Sequence, residues 1–82
     1  MKNYETMLEN INNMSEIEIL HFYRDVFIDY DNLRDEEINF LGNNPNENMW
    51  SDEEIQEYKE LVESITNLYK IIKGINTHIG YM

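Results

Sequence analysis

Two matching helix-start signals constrain the fold of this chain more than any other feature of its sequence. Ser15 is followed three positions later by Glu18, and Ser51 by Glu54. This is the pattern of a capping box, in which the serine and glutamate side chains bond free backbone N–H groups of the first helical turn. Apolar residues follow both signals at intervals of three or four, and no strand-like alternation occurs. The chain is therefore predicted to be all-α.

The spacing predicts a short first helix and a long second one. The first helix has a single apolar face, formed by Tyr4, Met7, Leu8 and Ile11. The second is expected to run from about Glu16 to about Leu41. Glycine, asparagine and proline residues at positions 42–46 then form a cluster of helix breakers that ends it.

The third helix has a clear start after Ser51 and two alternative ends. Gly74 suits the position just beyond a helix C-terminus. Lys70 and Lys73 would place positive charge near the negative C-terminal end of the helix dipole, where it stabilises a helix. Ile75 and Ile79, however, keep the apolar register beyond Gly74. The sequence therefore allows two predictions, a third helix that ends at Gly74 and one that continues beyond it.

A single domain over residues 1–82 is predicted, with a short N-terminal helix and two long antiparallel helices as a helical hairpin or three-helix bundle. A short loop between long helices forces the antiparallel arrangement. Leu20, Phe27 and Ile28 extend the apolar surface beyond the main stripe of the second helix. The sequence therefore allows two alternatives, a monomer and a homodimer with four long helices.

Charge limits the classes of partner. The 82 residues include 17 acidic and 6 basic side chains, a net charge of −11, and every acid lies between Glu5 and Glu63. Such a surface argues against direct binding to nucleic acid or anionic lipid and favours a basic partner. The 41% hydrophobic content is too high for a disordered acidic tail. Without a signal-like or membrane-spanning segment, a cytoplasmic location is expected.

The acids form stripes along the predicted helices. On the second helix Glu18, Asp25, Asp29 and Glu36 fall within about 40° of one another, and on the third Glu53, Glu57 and Glu60 follow at i, i+4 and i+7. A solvated face that keeps the protein soluble is one interpretation. The other is that these seven residues bind a partner as a mimic of nucleic acid, with carboxylates in place of phosphates.

The mimic hypothesis predicts a non-enzymatic inhibitor that blocks a basic nucleic-acid-binding protein. In size and charge the chain is similar to small acidic helical inhibitors made by phages and other mobile elements, including anti-CRISPRs. The likeness involves no motif. Frequent asparagine and isoleucine with no alanine is typical of AT-rich genomes, which agrees with a bacterial or phage-infected host cell.

The alternative is an adaptor or immunity-type protein that binds one protein through apolar anchors such as Trp50, Phe27 and Ile28. For Trp50 itself, packing on Ile55 as a hydrophobic staple is favoured over exposure as an anchor. A third interpretation is an assembly subunit that associates with itself. No catalytic or cofactor site is predicted, because the serines have no evident arrangement with a histidine and an acid. No metal site is predicted either, because the single E-x-x-H, Glu18 to His21, lacks the second motif that a di-iron site requires.

Overall fold

A computed structural model describes residues 3–80 and contains three α-helices: α1 (Tyr4–Glu9), α2 (Glu16–Asn43) and α3 (Asp52–Ile79). Short 3₁₀ turns at Ile11–Asn13 and Glu47–Met49 connect them, and the described residues include no strand. The prediction of an all-α chain with one short and two long helices is confirmed.

Both long helices begin at the predicted capping boxes. The backbone N–H of Ser15 donates to Glu18 Oε1 at 3.0 Å, and the Glu18 N–H donates back to Ser15 Oγ at 3.2 Å. Ser51 and Glu54 repeat the same two bonds at the same distances. These four bonds satisfy N–H groups that a helix start otherwise leaves without partners. The position at which each long helix starts is thus determined by local sequence.

The third helix does not end at Gly74 but continues to Ile79, the longer of the two predicted ends. Gly74 serves instead as a contact point for α1, since a Cβ atom there would lie 2.7 Å from Leu8 Cδ2. The helix stops at Gly80, whose φ of 88° is left-handed and therefore favours glycine. The second helix likewise runs two residues past its predicted end at Leu41, to Asn43.

Aromatic contacts pair the last part of α2 with the first part of α3, and earlier residues of α2 with later residues of α3. The ring of Phe40, late in α2, lies 5.6 Å from that of Tyr58, early in α3. Further back along α2, the ring of Tyr30 lies 6.3 Å from that of Tyr69, further forward along α3.

The buried core occupies only one end of the described structure. One cluster contains Tyr4, Ile11, Ile19, Phe22, Val26, Ile71, Ile72 and Ile75, and Ile65 is buried nearby. It joins α1 and the following turn to the first half of α2 and the second half of α3. Between Phe27 and Ser64 no residue is fully buried. The half of α2 and α3 that flanks their connecting loop therefore has partly exposed packing only.

The close approach at Gly74 yields a stability prediction. Alanine is favoured over glycine inside a helix by about 0.5–1 kcal/mol. In the wild-type background we expect the contact with Leu8 to cancel most of that gain for Gly74→Ala. In a Leu8→Ala background the gain should reappear. The free energy of unfolding in urea measures both effects as a double-mutant cycle.

Gly42→Ala is the matched control, because nothing lies within 4 Å of the corresponding Cβ position. It should raise the free energy of unfolding equally in both backgrounds. Equal gains for Gly74→Ala in the two backgrounds would contradict the contact between Gly74 and Leu8.

Candidate functional site

Acidic side chains from α2 and α3 line a single open groove on one face of the helix pair. Its apolar surface is formed by Leu33 and Phe40 of α2 and Leu61 of α3. The acidic residues along it are Glu36 from α2 and Glu54, Glu57 and Glu60 from α3. We call this feature the acidic groove. It brings together three of the seven residues predicted to bind a partner, namely Glu36, Glu57 and Glu60.

The carboxylates of this groove are mostly free to meet a partner. Glu36, Glu57 and Glu60 are exposed. Within residues 3–80, the carboxylates of Glu36 and Glu57 take part in no hydrogen bond or ion pair, and Glu60 Oε1 accepts one bond of 3.3 Å from Gln56. Glu54 differs, because its side chain completes the capping box of α3. Like charges three residues apart on α3, at Glu54, Glu57 and Glu60, repel, so the groove does not itself stabilise the fold.

A second depression continues the groove towards α1. It shares Leu33 and Ser64 with the acidic groove and adds Glu5 of α1 and Asp29 of α2. Asp29 is thus a fourth predicted residue on the same continuous surface. Glu18, Asp25 and Glu53 do not line either depression.

Asp29 also has a structural role that the sequence did not reveal. The hydroxyl of Tyr4 in α1 donates a part-buried hydrogen bond to Asp29 Oδ2. Burial, this bond and the charges of Asp29 and Asp25 all raise the pKa of Tyr4. The bond ties α1 to α2 across 25 positions of sequence, and no local spacing pattern could have indicated it.

Two of the remaining predicted residues have neighbours of their own. Hydrogen bonds from the backbone and side chain of Ser15 lower the pKa of Glu18, in keeping with its capping role. Asp25 lies 3.7 Å from the guanidinium of Arg24. Glu18 and Asp25 therefore belong to the stripe on α2 but not to the acidic groove.

Trp50 belongs to an aromatic cluster at the loop end. Its ring centroid lies 5.2 Å from that of Phe40 and 5.3 Å from that of Tyr58, and its Nε1 donates to the Asn44 carbonyl at 2.8 Å. Trp50 is half-buried, and these contacts satisfy its polar group. These contacts hold the loop in place, and the packing of Trp50 on Ile55 as a hydrophobic staple stays a prediction.

Tyr58 extends this cluster into a polar network. Its hydroxyl donates to Glu37 Oε2 at 2.8 Å, and Arg34 Nη1 donates to Glu37 Oε1 at 2.9 Å. The hydrogen bond to Glu37 and burial raise the pKa of Tyr58. Glu37 thus joins α2 to α3 in the half that lacks a buried core.

Residues 3–80 contain no group of three or more histidine, aspartate or glutamate side chains arranged to hold a metal ion. None of the helices in this range is both long and apolar enough to cross a membrane. No family model, curated protein or solved structure matches the chain. The candidate site is therefore defined by its geometry and charge alone.

The bond between Tyr4 and Asp29 yields a pH-dependent stability prediction. At pH 7 we expect Tyr4→Phe to lower the free energy of unfolding by about 1–2 kcal/mol, the value of a partly exposed hydrogen bond to a charged group. The folded pKa of Tyr4 lies above the unfolded value of 10.0. Its contribution is therefore complete below pH 10 and declines as the pH rises further.

Urea unfolding of both proteins between pH 7 and pH 11 measures this effect. The difference between wild type and Tyr4→Phe should shrink above pH 10. A difference that stays constant across this range would show that the Tyr4 hydroxyl ionises alike in the folded and unfolded chains.

Proposed function

We propose that this protein is a non-enzymatic inhibitor that mimics nucleic acid and blocks a basic nucleic-acid-binding protein. The observation that supports the proposal best is the acidic groove, in which carboxylates from two helices face one open surface without basic partners. A basic channel that normally holds phosphates would bind these carboxylates instead. The attraction between opposite charges would make association fast and sensitive to salt.

The spacing of the carboxylates supports the same proposal. Along α3, Glu53, Glu57 and Glu60 are separated by about 4.5–6 Å of helix rise. Duplex DNA carries one charge per about 1.7 Å of axis, so one stripe is much sparser than DNA. The acidic groove adds Glu36 from α2 to the residues of α3, and the adjoining depression adds Asp29 and Glu5. The combined surface is closer to the charge density of a phosphate backbone.

The proposal includes three further elements. The two long helices form an antiparallel hairpin, which the opposite direction of their ring contacts supports. The protein acts in the cytoplasm of a bacterial or phage-infected cell, where a nucleic-acid-binding target is found. Two chains pair as a homodimer.

The proposal is tested by capture of partners from a low-GC bacterial lysate at low salt, with elution in a salt gradient and identification by mass spectrometry. We expect a basic nucleic-acid-binding protein that moderate salt releases and that added DNA or RNA displaces. Recovery of a non-basic protein that resists salt would contradict mimicry and favour the adaptor alternative.

A matched pair of charge reversals tests the groove itself. The double variant Glu36→Lys with Glu57→Lys reverses one acid on each wall. Asp35→Lys with Glu63→Lys makes the same change of charge at exposed positions that do not line the groove. We expect the first variant to weaken partner binding at least about tenfold more than the second, with the helix content of both unchanged. Equal weakening would mean that only net charge matters.

The adaptor alternative needs its own variant, because Trp50 is half-buried and packs on Phe40 and Tyr58. Trp50→Ala would disturb the contacts with Phe40 and Tyr58. It would therefore weaken partner binding by destabilising the fold, whichever surface binds the partner. Ile28 is 49% exposed. A loss of partner binding on Ile28→Ala with unchanged stability would favour the adaptor.

A further inference from the structure

The acidic groove has an apolar floor as well as acidic walls. Leu33 and Phe40 of α2 and Leu61 of α3 are half-buried along it, and Leu68 continues this surface in the adjoining depression. A partner that bound the carboxylates alone would leave these apolar side chains in contact with water. We propose that the groove and the depression bind an amphipathic α-helix of a partner protein, with apolar side chains against the floor and lysine or arginine side chains beside the glutamates.

The first helix already packs as a helix against the same side of α2 and α3. The Tyr4 hydroxyl bonds to Asp29, and the Leu8 side chain lies against Gly74. Asp29 is only about 20° around α2 from the groove residue Glu36. Because α1 starts at Tyr4, which lines the depression, the open groove continues from the start of α1. A partner helix would extend the third layer that α1 provides at one end only.

The open length of this surface fits a helix of three to four turns. Along α3 its lining residues run from Glu54 to Leu68, which corresponds to about 21 Å of helix rise. A helix of about 14 residues has the same length. Addition of a strand would need an exposed sheet edge, and residues 3–80 include no strand.

The charge around the groove indicates that the partner helix is basic. No lysine or arginine of the described residues lines the groove or the depression, whereas six acids do, namely Glu5, Asp29, Glu36, Glu54, Glu57 and Glu60. The five basic residues of α2 and α3 lie at least about 120° around their helices from the centre of the groove. A helix with flanking lysines or arginines would supply the positive charge that this surface lacks.

The partner helix would lie on the nucleic-acid-binding surface of the target, so this inference rests on the proposed function. Many DNA-binding proteins place a helix in the major groove. A helix held between α2 and α3 could not enter it. The apolar floor would also select among basic surfaces, because an amphipathic helix covers the floor and a purely charged surface does not.

A synthetic peptide tests the inference on the full chain. The probe has about 14 residues, with leucines at i, i+3, i+4 and i+7 and lysines at the flanking positions. One control has the same composition in an order that spreads the leucines around the helix, and another has central prolines that prevent a helix. By fluorescence anisotropy at physiological salt, the probe should bind at least about tenfold more tightly than either control. Equal affinities would overturn the inference and leave nucleic-acid mimicry in place, because charge alone would then account for binding.

Charge reversals test whether the probe binds in the groove. Glu36→Lys with Glu57→Lys should weaken probe binding at least about tenfold more than Asp35→Lys with Glu63→Lys, whose positions are exposed but do not line the groove. Equal weakening by the two double variants would overturn the groove as the binding site.

Nuclear Overhauser contacts in the wild-type complex locate the probe without any variant, in case a double variant loses helix content by circular dichroism. The leucine methyl groups of the probe should contact those of Leu33 and Leu61. Val62 is the matched control, since it follows Leu61 directly but lies about 100° further around α3. Contacts to Val62 in place of Leu61 would overturn the inference.

Failure of the proposed function would give a different result. A probe that binds in the groove, together with capture of only non-basic proteins from lysate, would contradict the nucleic-acid mimic. It would still support a helix-binding groove.

Discussion

The packing of α1 across one end of the long helices organises the rest of the protein. Tyr4 and Ile11 complete a cluster with Phe22, Val26 and Ile75 that contains nearly all the buried side chains. Two helices alone form a layer too thin to bury much apolar surface, so a third element is needed wherever a core is to exist. α1 is only six residues long and reaches one end. Beyond it, the acidic groove stays open on one side and aromatic rings stay partly exposed on the other.

The two uncovered faces differ in their chemistry, because glutamates line the groove and aromatic rings lie on the other side. The groove acids Glu54, Glu57 and Glu60 are three residues apart along α3, so the repulsion between their charges opposes folding. The structure tolerates them because burial elsewhere supplies the stability.

Local features of the fold could be predicted from the sequence, and distant contacts could not. Ser15 and Ser51 were recognised as caps because a capping box involves only four neighbouring residues. Gly74 suggested a helix end, yet its role depends on Leu8, which is 66 positions away. The bond from Tyr4 to Asp29 was missed for the same reason. Of the seven predicted contact residues, those that share the groove could be identified only once α2 and α3 were placed side by side.

The absence of buried side chains between Phe27 and Ser64 has a consequence for how the groove can move. Regions with few buried apolar contacts open locally at a lower free energy than the core and often do so as a separate cooperative unit. The aromatic cluster around Trp50 and the bonds of Glu37 hold this half together, whereas the core holds the other. The separation of the groove walls can therefore adjust to a bound surface while the α1 end keeps its structure.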